Sequence, residues 1–115
     1  MERLKGKKQI EQLFVSGRSV GAFPLRLVYL KTGTNNMVGV SVSKKNFRSA
    51  VDRNKIKRLL RVAVEKNFLS LFERVEHKYS LMVLYVGKEI PKSRELDKQF
   101  KLMTDRFKKK VLDEV

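Results

Sequence analysis

Apolar residues recur at helical spacing in three parts of the chain. In residues 7–15 the spacing of Ile10, Leu13 and Phe14 predicts a short amphipathic helix that ends at Gly17 as its C-terminal cap. A second helix is predicted from a cap at Ser49 or Asp52 to about Asn67, and its apolar side consists of Ile56, Leu59, Leu60 and Ala63. A third begins at Ser93, and we expect burial of its apolar side, which consists of Leu96, Phe100, Met103, Phe107 and Val111.

Three segments between these helices have the composition of β-strands. Residues 23–31 (FPLRLVYLK) are rich in β-forming residues, Pro24 indicates an edge or a strand start, and residues 19–22 can add a short strand before it. Residues 37–43 (MVGVSVS) follow the turn-forming residues Gly33, Asn35 and Asn36, so we expect these two strands to pair as a hairpin. Residues 80–86 (SLMVLYV) are almost continuously apolar, which places this strand inside the sheet.

One side of the valine-rich strand carries only small residues, namely Gly39, Ser41 and Ser43. A strand with such a side permits close approach of another backbone or of a ligand, so it can be the floor of a groove. A helix packed tightly on the sheet explains the same pattern equally well. Both interpretations stay open from the sequence.

The order helix, strands, helix, strand, helix predicts an α/β (α+β) two-layer sandwich with one small mixed sheet of about four strands and three helices. The chain has 115 residues, of which 42% are hydrophobic. Because a chain of this size buries one core, we expect residues 1–115 to form a single domain. Its charge indicates that this is an RNA-binding domain.

The chain has 27 Lys and Arg residues against 12 Asp and Glu residues, a formal net charge of +15. Such an excess opposes compaction unless a polyanion relieves it, so nucleic acid is the expected partner. A membrane partner is not expected, because no apolar run approaches about 18 residues. The chain lacks cysteine and its N-terminus has no apolar signal core, from which we expect a cytoplasmic protein.

Most of the unbalanced charge lies between Lys44 and Arg61, where Asp52 is the only acidic residue. Arg53, Lys57 and Arg61 are like charges four residues apart, which destabilises a helix unless an anion lies opposite. Arginine also favours bidentate contact with phosphate. A strand rather than a short helix precedes this basic helix, which disfavours a helix-turn-helix and favours folded RNA over DNA.

Side chains suited to catalysis are scarce. His77 is the only histidine and lies in a charged segment, where a solvated position is expected, and the acidic residues do not have metal-ligand spacing. The glycines match neither common phosphate-binding loop. We therefore predict no catalytic residue and no metal ligand in the chain itself.

The segment SVSKKNFRSAVDRNKIKRLLR resembles the signature of the bacterial ribonuclease P protein subunit, and the resemblance extends loosely over the whole length through RLKGKKQIEQLFVSG, LMVLYV and the last amphipathic helix. It implies a fold of the ribosomal-protein-S5-domain-2-like class and an endoribonuclease that removes the 5′ leader of precursor tRNA. The implied partners are a catalytic RNA subunit and precursor tRNA. Mg²⁺ is expected in the RNA-containing holoenzyme, with no cofactor bound by the protein alone, and the free protein is expected to be monomeric.

The resemblance also implies two sets of functional residues. The RNA-binding set consists of Lys44, Lys45, Arg48, Arg53, Asn54, Lys57, Arg58 and Arg61. A leader-binding cleft between the first helix, the sheet and the motif helix would be lined by Ile10, Phe14, Val28, Arg53, Asn54 and Lys57. Ile10 stands where many members carry a second aromatic residue, and it cannot stack on a base. The alternative is a non-enzymatic RNA-binding ribosomal or assembly protein of similar shape.

Overall fold

The computed structural model describes residues 2–33 and 35–113, without the side chain of Asp113. These residues form five strands and three helices. Their bounds, in chain order, are β1 (Glu2–Arg3), α1 (Lys7–Ser16), β2 (Arg18–Ala22), β3 (Leu25–Thr32), β4 (Met37–Val42), α2 (Ala50–Arg74), β5 (Lys78–Tyr85) and α3 (Ser93–Asp113). The predicted architecture of one mixed sheet with three helices is confirmed, with five strands instead of about four.

The strands form one sheet in the order β1-β4-β5-β3-β2. The central strand, β5, is antiparallel to β3 over eight residue pairs and parallel to β4 over six. The prediction that the apolar segment lies inside the sheet is confirmed, and so is the short strand before Pro24, which forms β2 and pairs with β3. Pro24 lies in the turn between β2 and β3, immediately before β3 begins.

The predicted hairpin between β3 and β4 is wrong, because β5 lies between these two strands. The connection after β3 therefore crosses the end of β5 and does not form a tight turn. Asn36 ties this crossing to β5: its buried Oδ1 accepts a hydrogen bond from the Tyr79 N–H at 2.9 Å. Its backbone carbonyl also accepts from the N–H of Glu2, which holds the unpredicted strand β1 beside β4.

The two faces of the sheet are covered differently. On one, here called the core face, residues such as Leu27, Val40 and Val83 pack with α2 and α3 in the larger apolar cluster. On the other, the α1 face, a smaller cluster joins Leu13 of α1 to Val28 and other sheet residues. All five apolar residues predicted for the buried side of α3 are buried in the core face.

The basic helix is longer than predicted. It spans 25 residues and ends at Arg74, not near Asn67, because Phe68 and Leu71 continue its buried side. Asn67 lies inside the helix, and its Nδ2 donates to the carbonyl of Ala63 one turn earlier. The N-terminus agrees with one of the two predicted caps: Ser49 Oγ accepts from the N–H of Asp52 at 3.4 Å.

Candidate nucleic-acid interface

The predicted RNA-binding residues lie in two adjoining parts of the molecule: the loop 43–49 after β4, and the first three turns of α2. Together the eight predicted residues are called the basic surface here. Five of its cations and Asn54 are exposed, whereas Arg53 and Lys57 are half-buried. Ile56 and Leu60 point the opposite way, into the core. The helix therefore has one face for packing and another for solvent or a partner.

The loop of the basic surface is held in place by three contacts. The ring of Phe47 is buried near that of Tyr85, with their centroids 6.1 Å apart. The Asn46 Nδ2 group lies 3.3 Å from the carbonyl oxygens of both Val86 and Gly87 and donates to them. Backbone hydrogen bonding from the Phe47 N–H to the Ser43 carbonyl closes the turn. The cations of this loop are thus presented on a fixed backbone.

Arg53 adds a further contact to this loop and has a different role from the other arginines. Its Nη1 donates to the carbonyl oxygens of Phe47 at 2.7 Å and of Arg48 at 2.9 Å. This guanidinium therefore ties the loop to the start of α2. It positions Arg48 and the neighbouring lysines, which is a role that the sequence pattern did not distinguish from direct phosphate contact.

The charge of the basic surface is not balanced within the described part of the chain. The salt bridges found there join Lys66 to Asp97 and Lys108 to Asp105, all outside this surface. Arg58 and Arg61 are exposed on successive turns, and neither forms a salt bridge with a carboxylate of the described residues. An anionic partner would remove this like-charge repulsion, which is the condition that a phosphate backbone satisfies.

The six residues predicted for the leader cleft are not brought into one pocket. Phe14 is 48% exposed on α1, while Val28 is buried beneath that helix with Leu13. Arg53, Asn54 and Lys57 are on α2, which packs on the opposite side of the sheet. The placement leaves Phe14 available for a partner and makes Val28 part of the packing under α1.

A cleft of about 330 Å³ lies where β1 ends and leaves the edge of β4 uncovered. The cleft brings Ile10 of α1 together with Arg61 of α2. Arg3 also lines it, a cation that was not among the predicted RNA-binding residues. Arg3 could not be found from the sequence, because its position depends on the unpredicted strand β1. Glu2 and Glu65 also line the cleft, so its charge is mixed.

The described residues contain no group of three or more His, Cys, Asp or Glu side chains able to hold a metal ion. His77 is exposed. The pKa of Tyr85 is raised, first by burial and then by the carboxylates of Glu89 and Glu95, but this tyrosine lies beside the start of α3, and its hydroxyl donates to the Glu89 carbonyl. No helix within the described ranges is both long and apolar enough to cross a membrane.

Comparisons with known proteins agree with this geometry. The ribonuclease P family model matches residues 1–109. The ribonuclease P protein component of Porphyromonas gingivalis is 33% identical over 105 residues, covering 84% of this chain and 76% of the relative. That of Chlorobium phaeobacteroides is 35% identical over 101 residues, covering 75% and 69%.

Solved structures share the fold. The RNase P protein of Staphylococcus aureus superposes with a TM-score of 0.75 at 20% identity, covering 94% of this chain and 96% of its own. The RNase P protein of Thermotoga maritima gives 0.74 at 20% identity, covering 91% and 97%. The family model and the curated relatives place the chain in the ribonuclease P protein family.

Proposed function

We propose that this chain is the protein subunit of ribonuclease P, binding the catalytic RNA and the 5′ leader of precursor tRNA in a ribonucleoprotein that removes the leader. The observation that carries the proposal is the basic surface: a rigid, unbalanced array of cations in a chain that belongs to this family. The proposal also accounts for the scarcity of side chains suited to catalysis, because here the RNA performs the cleavage.

In this arrangement the protein has two tasks. Lys44, Lys45 and Arg48 on the fixed loop, together with Arg58 and Arg61 on α2, bind phosphates of the catalytic RNA. Phe14, half-exposed on α1, stacks on an unpaired leader base. The Mg²⁺ of the holoenzyme is proposed to be held by the RNA. The proposed location is the cytoplasm, where precursor tRNA is made.

Reconstitution tests the proposal. The protein is added to its cognate catalytic RNA at low Mg²⁺, and cleavage of precursor tRNA is measured. We expect the protein to restore cleavage that the RNA alone performs poorly, and to show none by itself. No gain over the RNA alone at any Mg²⁺ concentration would refute the proposal.

The basic surface is tested with two matched double variants of α2. In Arg58→Ala/Arg61→Ala, the slope of log affinity for the catalytic RNA against log salt should fall by about 0.7–0.9 for each phosphate that is no longer bound. The control, Lys66→Ala/Arg74→Ala, removes two exposed cations from the second half of the same helix. Equal salt slopes for the two variants would show that Arg58 and Arg61 face solvent and do not contact RNA phosphates.

The alternative, a non-enzymatic RNA-binding protein, is separated by the substrate. In the assembled complex the proposed subunit should bind precursor tRNA more tightly than mature tRNA, since only the precursor carries a leader. Equal affinity for the two tRNAs would favour the alternative. The family match does not favour it.

A further inference from the structure

A second basic groove lies at the edge of the sheet farthest from β4. Strand β2 forms this edge, and the C-terminal part of α3 runs beside it. The groove between them has a volume of about 440 Å³ and is lined by Ser19, Val20, Gly21, Arg106, Lys109 and Lys110. Its lining contains three cations and no acidic residue.

The cations of this groove are unbalanced in the same way as those of the basic surface. Arg106, Lys109 and Lys110 are exposed, and the two lysines lie three and four residues after the arginine, so they repel it along the helix. None pairs with a carboxylate among the side chains that the structure describes. By contrast, Lys108 on the same turn pairs with Asp105 at 3.3 Å. An anion in the groove would relieve the repulsion among the three.

The backbone of β2 adds hydrogen-bond donors to the groove. Arg106 Nη1 donates to the carbonyl of Gly21, so this carbonyl points away from β3 toward the open edge. In an antiparallel strand the N–H and C=O of a residue point to the same side, and residues two apart share that side. The N–H groups of Gly21 and Ser19 therefore also point to the open edge, where they can donate to an anion.

Gly21 itself indicates a close approach. It lies inside a strand, where glycine weakens the structure, and it does not have a positive φ. A Cβ added there would meet nothing within 4 Å. Neither backbone conformation nor packing within the protein accounts for the glycine. Approach of a ligand to the strand does.

A fourth cation reaches the same strand from β3. Arg26 lies opposite Gly21, and its Nη2 donates to Ser19 Oγ at 3.1 Å. Cations thus flank β2 from α3 on one side and from β3 on the other. This arrangement suits an extended polyanion that passes along the edge better than a single small anion.

We propose that the groove between β2 and α3 binds the phosphodiester backbone of the catalytic RNA, as a second contact separate from the basic surface. The proposal rests on the proposed function, because it assumes the same RNA partner. From β4 to β2 is three interstrand spacings, roughly 14 Å. Two segments of one folded RNA would then hold the protein from opposite edges of its sheet.

The test uses two variants that change the groove in different ways. Lys109→Ala/Lys110→Ala removes two exposed cations while keeping Arg106, and should reduce the salt slope of binding to the catalytic RNA by about 0.7–0.9 for each phosphate that is no longer bound. Gly21→Ala adds a methyl group on the Arg26 side of β2 without changing charge, and should weaken binding of a polyanion along this edge severalfold without lowering the thermal unfolding midpoint. The control, Lys98→Ala/Lys101→Ala, removes two exposed cations from the same helix outside the groove.

Binding of both groove variants at the level of the control would overturn the proposal. If Arg58→Ala/Arg61→Ala loses affinity while the groove variants do not, the groove does not bind the RNA but the proposed function stands. If the protein also fails to stimulate cleavage, the proposed function fails as well. A Gly21→Ala protein that unfolds would contradict the open space at this position, and the lysine variant would then decide RNA binding alone.

Discussion

The two faces of the sheet differ in how completely they are covered. On the core face, α2 and α3 lie over the strands, and the rings of Phe68, Phe100 and Phe107 are fully buried. On the α1 face, one ten-residue helix covers a small cluster, and Arg26 remains exposed beside it. The difference indicates that the core face supplies most of the stability, which leaves the α1 face free to carry contacts with a partner.

The largest expected effect tests the core face. Phe107 packs edge-on against Tyr29 and Tyr79, with centroids 4.9 and 5.2 Å away. Phe107→Ala removes these contacts and leaves a cavity, so the free energy of unfolding should fall by about 3–5 kcal/mol. Urea denaturation followed by circular dichroism measures it. If Phe107→Ala lost less stability than Leu13→Ala on the α1 face, the α1 face would contribute more to stability than the core face.

The next effect tests the α1 face. Leu13 is fully buried and joins α1 to Val28 and Met82. Leu13→Ala should lower the free energy of unfolding by about 2–3 kcal/mol, in the lower part of the range for buried leucines, because a helix on a small cluster can settle into the space. The same urea titration measures it. A loss of stability as large as that of Phe107→Ala would show that both faces are equally important for stability.

A third variant separates stability from binding on the α1 face. Phe14 is one residue beyond Leu13 but half-exposed, so Phe14→Leu should change stability little. If the ring stacks on a leader base, affinity for precursor tRNA in the assembled complex should fall by about 1–3 kcal/mol, with mature tRNA unaffected. Titration of both tRNAs measures the difference.

The matched control for this variant is Val15→Ala, which changes a neighbouring apolar residue of α1 that is 85% exposed. It should leave both stability and leader affinity unchanged. Unfolding of Phe14→Leu would assign the ring to packing. Equal binding by the two variants would remove Phe14 from the leader site.

Helices and strands could be predicted from the sequence where their buried residues repeat at the spacing of the element itself. The buried side of α3 could be identified from Leu96 to Val111, because a helix repeats its face regardless of its neighbours. The pairing of β3 with β4 could not be judged the same way. In the structure β5 lies between β3 and β4 and pairs with both. Because β5 begins about 35 residues after β4 ends, no pattern within residues 23–43 could indicate that it separates the two strands.

The residues of the basic surface could be predicted from the sequence, but their different roles could not. Charge spacing identified Arg53, Arg58 and Arg61 alike, since a sequence shows only which residues are cationic. The structure separates them, because Arg53 donates to two loop carbonyls while Arg58 is exposed. The groove at β2 was missed because its residues come from segments about 85 positions apart, as the hydrogen bond between Arg106 and Gly21 shows.

The smallest expected effect divides the α1 face itself, along the small residues of β4. A Cβ at Gly39 would lie 2.9 Å from Met82 Cε, so a larger residue at this position displaces the Met82 side chain in the cluster with Leu4. Gly39→Ala should therefore cost about 1 kcal/mol, since the flexible Met82 side chain can move. Ser41, two residues on, is half-exposed, and Ser41→Ala should change stability by less than about 0.5 kcal/mol. Urea titration of the pair checks both values. Equal changes in stability would show that the packed cluster continues along β4 to Ser41. The predicted difference would show that the strand is tightly packed at Gly39 and accessible to a partner from Ser41 onward.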